Sequence, residues 1–241
     1  MDLGLTGRTA VVTGASRGIG LAITRGLSAN GVHVVAGARR SSPELGQLAQ
    51  EGSVRVLEVD LAEPGGPGQL VALAGGFLDI TDEDWQTTIT LDLMAAVRAT
   101  RSALPAMLAA GKGSIVTICS VNASLPDPAV MDYSAAKAAL AGFCKALSKE
   151  VGLRGIRVNT VSPGPVATDL WLGDHGVAQS VSQATGAKPE DVASQAAHQS
   201  VTGRFSRPEE VADLVLLLAS DRTANVTGAD FRIDGGLVPT W

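Results

Sequence analysis

Arg8-Thr9-Ala10-Val11-Val12-Thr13 runs straight into Gly14-Ala15-Ser16-Arg17-Gly18-Ile19-Gly20, and the reading of this stretch decides the fold. The first six residues have the short, apolar-centred pattern of a buried strand. Helical periodicity continues from Leu21 to Leu27. Strand, glycine turn and helix start together make a phosphate site: glycines let backbone N–H groups approach a pyrophosphate, and the helix N-terminus supplies partial positive charge. The spacing is Gly-x-x-x-Gly-x-Gly rather than the commoner Gly-x-Gly-x-x-Gly. Gly14, Ser16, Arg17, Gly18, Ile19 and Gly20 are therefore candidate cofactor-binding residues. The alternative is a tight strand–helix turn with no ligand.

The next strand, Val32 to Gly37, closes with Ala38-Arg39-Arg40. A dinucleotide fold that prefers NAD places an acidic side chain near this point for the ribose 2′-hydroxyl. This chain has none there and offers Arg39, with Arg17 in the glycine turn. Two guanidinium groups suit a 2′-phosphate through bidentate charged hydrogen bonds, which favours NADP(H) over NAD(H). Two solvated surface arginines are the alternative. Asp60, ending the third strand run from Val54 to Val59, would then lie near the adenine; otherwise it is a turn residue at a strand end.

A second constellation carries reaction chemistry. The apolar run Ser114 to Ile118 delivers Ser120 to a strand end, and a long helical pattern from Met131 to Val151 carries Tyr133 and Lys137. Those two stand at i and i+4, one turn apart on one helix face. A tyrosine hydroxyl there gives a proton to a carbonyl oxygen or takes one from an alcohol. A neighbouring ammonium stabilises the phenolate and lowers the tyrosine from its usual value of about 10. The serine hydroxyl holds the same substrate oxygen. Alone, Tyr-x-x-x-Lys is weak, because such pairs are common on solvated helices.

A further strand, Ile156 to Val161, runs into Ser162-Pro163-Gly164-Pro165-Val166-Ala167-Thr168. Proline and glycine there can hold an irregular path over a ligand. Pro163, Gly164, Val166 and Thr168 are candidate cofactor contacts, with Thr168 placed for the nicotinamide carboxamide; a plain loop is the alternative.

These motifs, with Asn159 and the tail Gly228-Ala229-Asp230 … Asp234-Gly235-Gly236, resemble the short-chain dehydrogenase/reductase family. The chain looks most like its branch of 3-oxoacyl-(acyl carrier protein) reductases and related carbonyl reductases. The resemblance covers nearly the whole chain in the expected order. It implies an α/β fold, a doubly wound parallel sheet of Rossmann type with helices on both faces, as one domain over residues 1–241. It also implies hydride transfer with a nicotinamide cofactor, proton donation by Tyr133, and substrate positioning by Ser120. Lys137 would both hold the ribose hydroxyls and tune Tyr133. A homodimer or homotetramer is the implied assembly, and residues 169–207 would be the substrate lid. Trp171 and Leu172 are that lid's large apolar residues near the Pro-Gly loop.

Two departures stand out. The family pattern has a central strand with an Asn-Ala-Gly turn, whereas here Gly75-Gly76-Phe77-Leu78-Asp79-Ile80 leads straight towards a helix starting near Thr81-Asp82. The interval is too short for helix, strand and loop. Losing a central strand would expose unpaired backbone groups, which favours a sequence joined across an omitted segment near Gly75-Gly76. The second departure is Asp92, where the family usually has an asparagine whose backbone carbonyl holds a water linked to the lysine. The carboxylate could pair with Lys137 and alter its charge balance, so Asp92 joins Ser120, Tyr133 and Lys137 as a candidate catalytic residue.

Composition agrees. The chain has 241 residues, 45% of them hydrophobic, enough for one substantial α/β domain. A net charge of −5 and the lack of a basic run argue against nucleic acid. No apolar stretch reaches about 18 residues and no secretory pattern opens the chain, so a cytoplasmic protein with no membrane partner is expected. Cys119 and Cys144 have no metal spacing, fit reduced buried thiols, and leave no metal site expected. Strand alternation would turn Cys119 away from the face of Ser120. The favoured function is an NADP(H)-dependent oxidoreductase interconverting a ketone, 3-oxoacyl-like or another carbonyl, and a secondary alcohol. The alternatives are a dinucleotide-binding homologue with weak or no turnover, suggested by the missing segment and Asp92, and an epimerase or dehydratase of the same fold.

Overall fold

The computed structural model describes residues 3–58, 77, 80–174 and 176–240. The expected omission at Gly75-Gly76 and the adenine contact at Asp60 both fall outside these residues. Two compact units are present, one from described residues within Met1–Leu61 and Arg207–Val226, the other from those within Ala62–Ser206 and Thr227–Trp241.

The first unit holds a three-stranded parallel sheet in the order β1 (Thr9–Thr13), β2 (His33–Ala38), β3 (Val54–Glu58). Parallel strands need crossovers, and helices α1 (Gly18–Ala29) and α2 (Pro43–Gln50) supply them. Ser42 caps α2 through its hydroxyl, which accepts from the Leu45 N–H at 3.2 Å, and Pro43 sits in the first turn, where its missing N–H costs nothing. The last helix of the chain, α9 (Pro208–Ala219), packs on α1. There Gly26 lets the two backbones approach, because an added Cβ would meet the Leu216 side chain at 3.2 Å. Val12 of β1 is buried, and α1 packs on β1 and β2.

The second unit begins with α3 (Asp82–Ile89), capped by Thr81 and Asp84 in a reciprocal capping box. A π-helical turn, Thr90–Met94, joins it to α4 (Ala95–Ala110). A second parallel sheet runs β4 (Gly113–Ile118), β5 (Ile156–Pro163), β6 (Asp230–Ile233). Between β4 and β5 lies α5 (Met131–Val151), with the boundaries its periodicity predicts. Its face of Leu140, Cys144, Leu147 and Val151 packs on Ile156 and Val158, with Met107 and Leu108 of α4 alongside. Fully burying each such aliphatic side chain contributes roughly 1.5–3 kcal/mol, so this helix–sheet contact is the core of the unit.

Strand β6 is shorter than the expected run from Thr227, because Gly228 takes a φ of +68° and its N–H donates to the Val158 carbonyl from outside the ladder. The Asn159 amide oxygen accepts from Ala229 N–H at 3.1 Å, and Asp230 Oδ1 accepts from both Thr160 and Ser162 hydroxyls. The tail from Gly228 to Asp230 is thus a clasp that holds this part of the chain onto β5.

After β5 come α6 (Asp169–Leu172), α7 (Val177–Thr185) and α8 (Pro189–His198), the last opening on proline as read from Lys188-Pro189.

Candidate active site

In the first unit the glycine turn is built as the chemistry needs. Gly14 and Gly18 adopt φ of +65° and +53°, the left-handed region that side chains resist. Ala15 is fully buried and its N–H donates to the Gly37 carbonyl, which ties the turn to the end of β2. Helix α1 then starts so close beneath the turn that a Cβ on Gly20 would stand 2.1 Å from the Gly14 carbonyl oxygen. No side chain caps α1, and its first turn carries no acid. An uncapped helix start under a glycine turn fits the phosphates of a dinucleotide.

Thr13 pairs with Gly37, so the turn and the Arg39-Arg40 segment emerge from the same edge of this sheet, the carboxyl edge where such folds bind ligands. Arg17, Arg39 and Arg40 are exposed there, and Ser16 and Ile19 are half-buried. Glu58, at the end of β3, accepts the Ser41 N–H through Oε1 at 3.0 Å. Glu58 went unread in the sequence. It pins the loop carrying Arg39, and only the β2–β3 register, in which it faces Ala38, reveals this.

In the second unit Ser120 stands in extended conformation just past β4, nearly buried. Its Oγ accepts from the Asn122 N–H at 3.2 Å and lies 3.1 Å from Asn122 Oδ1. The turn that follows, Val121–Ala123, packs on α5. Tyr133 occupies the first turn of α5, and Lys137, one turn on, places Nζ 5.3 Å from the Tyr133 ring centre.

The π turn carries Asp92 to the same lysine, with Oδ1 2.9 Å from Nζ. Both side chains are nearly enclosed, at 12% and 13% exposure, and Asp92 Oδ2 has no hydrogen-bond partner among the described residues. Burial works to strip the proton from Lys137, but the Tyr133 oxygen and the Asp92 carboxylate outweigh it and push the amine above its ordinary range. Lys137 therefore stays an ammonium.

A second buried carboxylate precedes the tyrosine. Asp132 is 3% exposed, and its Oδ2 accepts the Thr88 hydroxyl of α3 at 2.5 Å. The contact anchors the turn of α5 that carries Tyr133. Sequence reasoning missed it, although a carboxylate in register with Ala136 and Leu140 on the buried face was a readable signal.

Cys119 meets α5. It lies one residue beyond β4, and its Sγ donates to the Lys137 carbonyl at 3.3 Å. Burial pushes its thiol up, which keeps it neutral.

The loop after β5 is held from two sides. Gly164 N–H donates to Ile233 O, and a Cβ at Gly164 would meet Asp234 at 3.0 Å. Ser206 N–H donates to Pro165 O, and Val166 is buried. Thr168 precedes α6 without capping it; its hydroxyl lies 3.4 Å from the Val166 carbonyl. Trp171 packs edge-on against Phe205, with ring centres 5.2 Å apart, while Leu170 and Leu172 are half exposed.

Residues 8–74 match the family model described as short chain dehydrogenase, and residues 65–238 match the model described as Enoyl-(Acyl carrier protein) reductase. The chain is 35% identical to 3-oxoacyl-[acyl-carrier-protein] reductase FabG of Escherichia coli (strain K12), with 96% of this chain and 97% of that one covered. It is 33% identical to acetoacetyl-CoA reductase of Cupriavidus necator over 97% of this chain and 99% of the relative. Among solved structures, L-sorbose reductase from Gluconobacter frateurii, complexed with NADPH and L-sorbose, superposes with a TM-score of 0.85 at 33% identity, covering 100% of both chains. With matches of this identity and coverage, the chain belongs to the short-chain dehydrogenase/reductase family.

Proposed function

We propose that this protein is an NADP(H)-dependent oxidoreductase that interconverts a ketone and a secondary alcohol. The observation that carries the reading is the Lys137 ammonium set 5.3 Å from the Tyr133 ring, one turn further along the same helix. Relatives named for 3-oxoacyl, acetoacetyl and sorbose reduction support a ketone as the shared substrate class. A neighbour complexed with NADPH, together with Arg17 and Arg39 at the carboxyl edge of the first sheet, supports NADP(H) over NAD(H).

When bound, the nicotinamide supplies a hydride to the carbonyl carbon. Tyr133 gives its hydroxyl proton to the carbonyl oxygen, and the Lys137 charge favours the phenolate left behind. Asn122 N–H fixes the Ser120 oxygen, and the serine hydrogen turns from Asn122 Oδ1 to the substrate oxygen. Gly14, Ser16, Arg17, Gly18, Ile19 and Gly20 hold the cofactor phosphates. Pro163, Gly164, Val166 and Thr168 line the nicotinamide end, and Tyr133 and Lys137 hold the ribose. Residues 169–207 act as the lid, where half-exposed Leu170 and Leu172 favour a substrate with an apolar portion. A cytoplasmic homodimer or homotetramer completes the reading; it rests on the family resemblance, and sedimentation velocity tests the assembly.

The reading is tested with Tyr133→Phe. Ketone reduction with NADPH should fall by at least about a hundredfold, the usual contribution of a positioned acid, while NADPH affinity falls by no more than the roughly tenfold of one lost ribose hydrogen bond. Retained turnover would overturn the mechanism.

A further inference from the structure

The direct Asp92–Lys137 pair has a consequence for Tyr133 that an uncharged residue at position 92 would not have. The ammonium that favours a Tyr133 phenolate is also in contact with a full negative charge, at 2.9 Å. Two opposite unit charges beside the ring cancel much of each other's field, and in this enclosed setting solvent does little to screen either. The free Oδ2 strengthens the point: one carboxylate oxygen is spent on Lys137, and the other keeps its charge with no donor among the described residues to neutralise it. The π turn is what allows the contact, because an extra residue in the turn re-aims a side chain that a regular helix would direct elsewhere.

We propose that Asp92 is a positioning residue that acts through Lys137: it keeps the ammonium charged and aimed at Tyr133, and its own charge holds the phenolate back, so that proton exchange at Tyr133 occurs at higher pH than Lys137 alone would set. The inference rests on the reading of Tyr133 as the proton-transfer residue.

The charged and titratable groups around the pair are few. On α5 they are Tyr133 and Asp132, the latter bonded to Thr88 of α3. Past β4 stands Cys119, which acts on Lys137 through space. On α3, Asp82 and Glu83 are exposed and Asp84 is bonded to Thr81; on α4, Arg98 and Arg101 are exposed. Among the described residues, Asp92 is the carboxylate that pairs directly with Lys137.

Tyr133 is the only tyrosine among the 241 residues, so its ionisation can be followed directly by the ultraviolet tyrosinate band, in the full chain and without cofactor. Asp92→Asn should lower the midpoint of that titration by about one pH unit, a tenfold gain in phenolate at fixed pH, and should move the acidic limb of alcohol oxidation in the same direction. Asp92→Glu, which restores the charge, should return the midpoint to that of the wild-type chain. Asp92→Ser serves as the neutral variant should the asparagine form not fold. An unchanged or raised midpoint in the neutral variant would overturn the proposal, as would an Asp92→Glu midpoint that falls with it. Failure of the wild-type chain to reduce any ketone with NADPH would instead sink the proposed function, leaving the cofactor-free titration to be judged by itself.

Discussion

Replacing Gly20 by alanine tests whether the glycine turn is compressed onto α1 as the structure has it. The added methyl would stand 2.1 Å from the Gly14 carbonyl oxygen, 2.7 Å from its carbon and 3.2 Å from Ala15 Cα. All three atoms are backbone, so no rotamer change relieves the contact, and the helix must move off the turn. In an open helix the same change gains about 1 kcal/mol from propensity. Overpacking costs about 1–3 kcal/mol or more where neighbours cannot yield, and backbone yields least. A net loss of about 1–2 kcal/mol follows, equivalent to a fall in Tm of roughly 2–8 °C for a chain of this size. NADPH affinity should fall alongside, because the displaced amides are those proposed to meet the phosphates. Gly46→Ala is the matched control: that residue lies within α2, has ordinary φ and nothing within 4 Å of the added Cβ, so its variant should gain stability. Thermal unfolding and NADPH titration by nucleotide fluorescence read both effects. A Gly20→Ala protein with the wild-type Tm and NADPH affinity would refute the reasoning.

Arg39→Asp should weaken NADPH relative to NADH by tenfold or so, through loss of a charged hydrogen bond and gain of a repelling carboxylate; competitive titration with both nucleotides measures the ratio, and an unchanged ratio removes Arg39 from the cofactor argument. Asn159→Ala leaves the Ala229 N–H without its acceptor in a buried place, so urea unfolding should show a loss of about 1–3 kcal/mol. Cys119 and Cys144 are both buried with thiols pushed up, so little thiolate forms at neutral pH and a chromogenic disulfide reagent should label neither until denaturant is added. As pH rises past the ordinary thiol range, the unfolded chain ionises these groups first, and their effect is to lower stability with rising pH. Rapid labelling of the folded chain would contradict their burial.

Much of the architecture was legible because its signals are local. Thr81-Asp82 marks a helix start, and the helical pattern from Met131 to Val151 bounds α5 correctly. The glycine turn was readable for the same reason: left-handed φ at Gly14 and Gly18 is a property of single residues. Ser120, Tyr133 and Lys137 could be named from type and spacing, since i and i+4 on a helix face each other whatever else surrounds them.

What chain order alone leaves open is which distant residues meet. Nothing local says that a π turn at Thr90–Met94 brings Asp92 within 2.9 Å of Lys137, that Thr88 anchors buried Asp132, or that Glu58 pins the Arg39 loop. The sequence by itself determined many of the elements, the glycine turn and the placing of Tyr133 and Lys137 one turn apart, because periodicity and backbone permissiveness act over a few residues. The charge environment of that pair was decided by tertiary structure, because Coulomb and hydrogen-bond energies depend on distances that only packing sets.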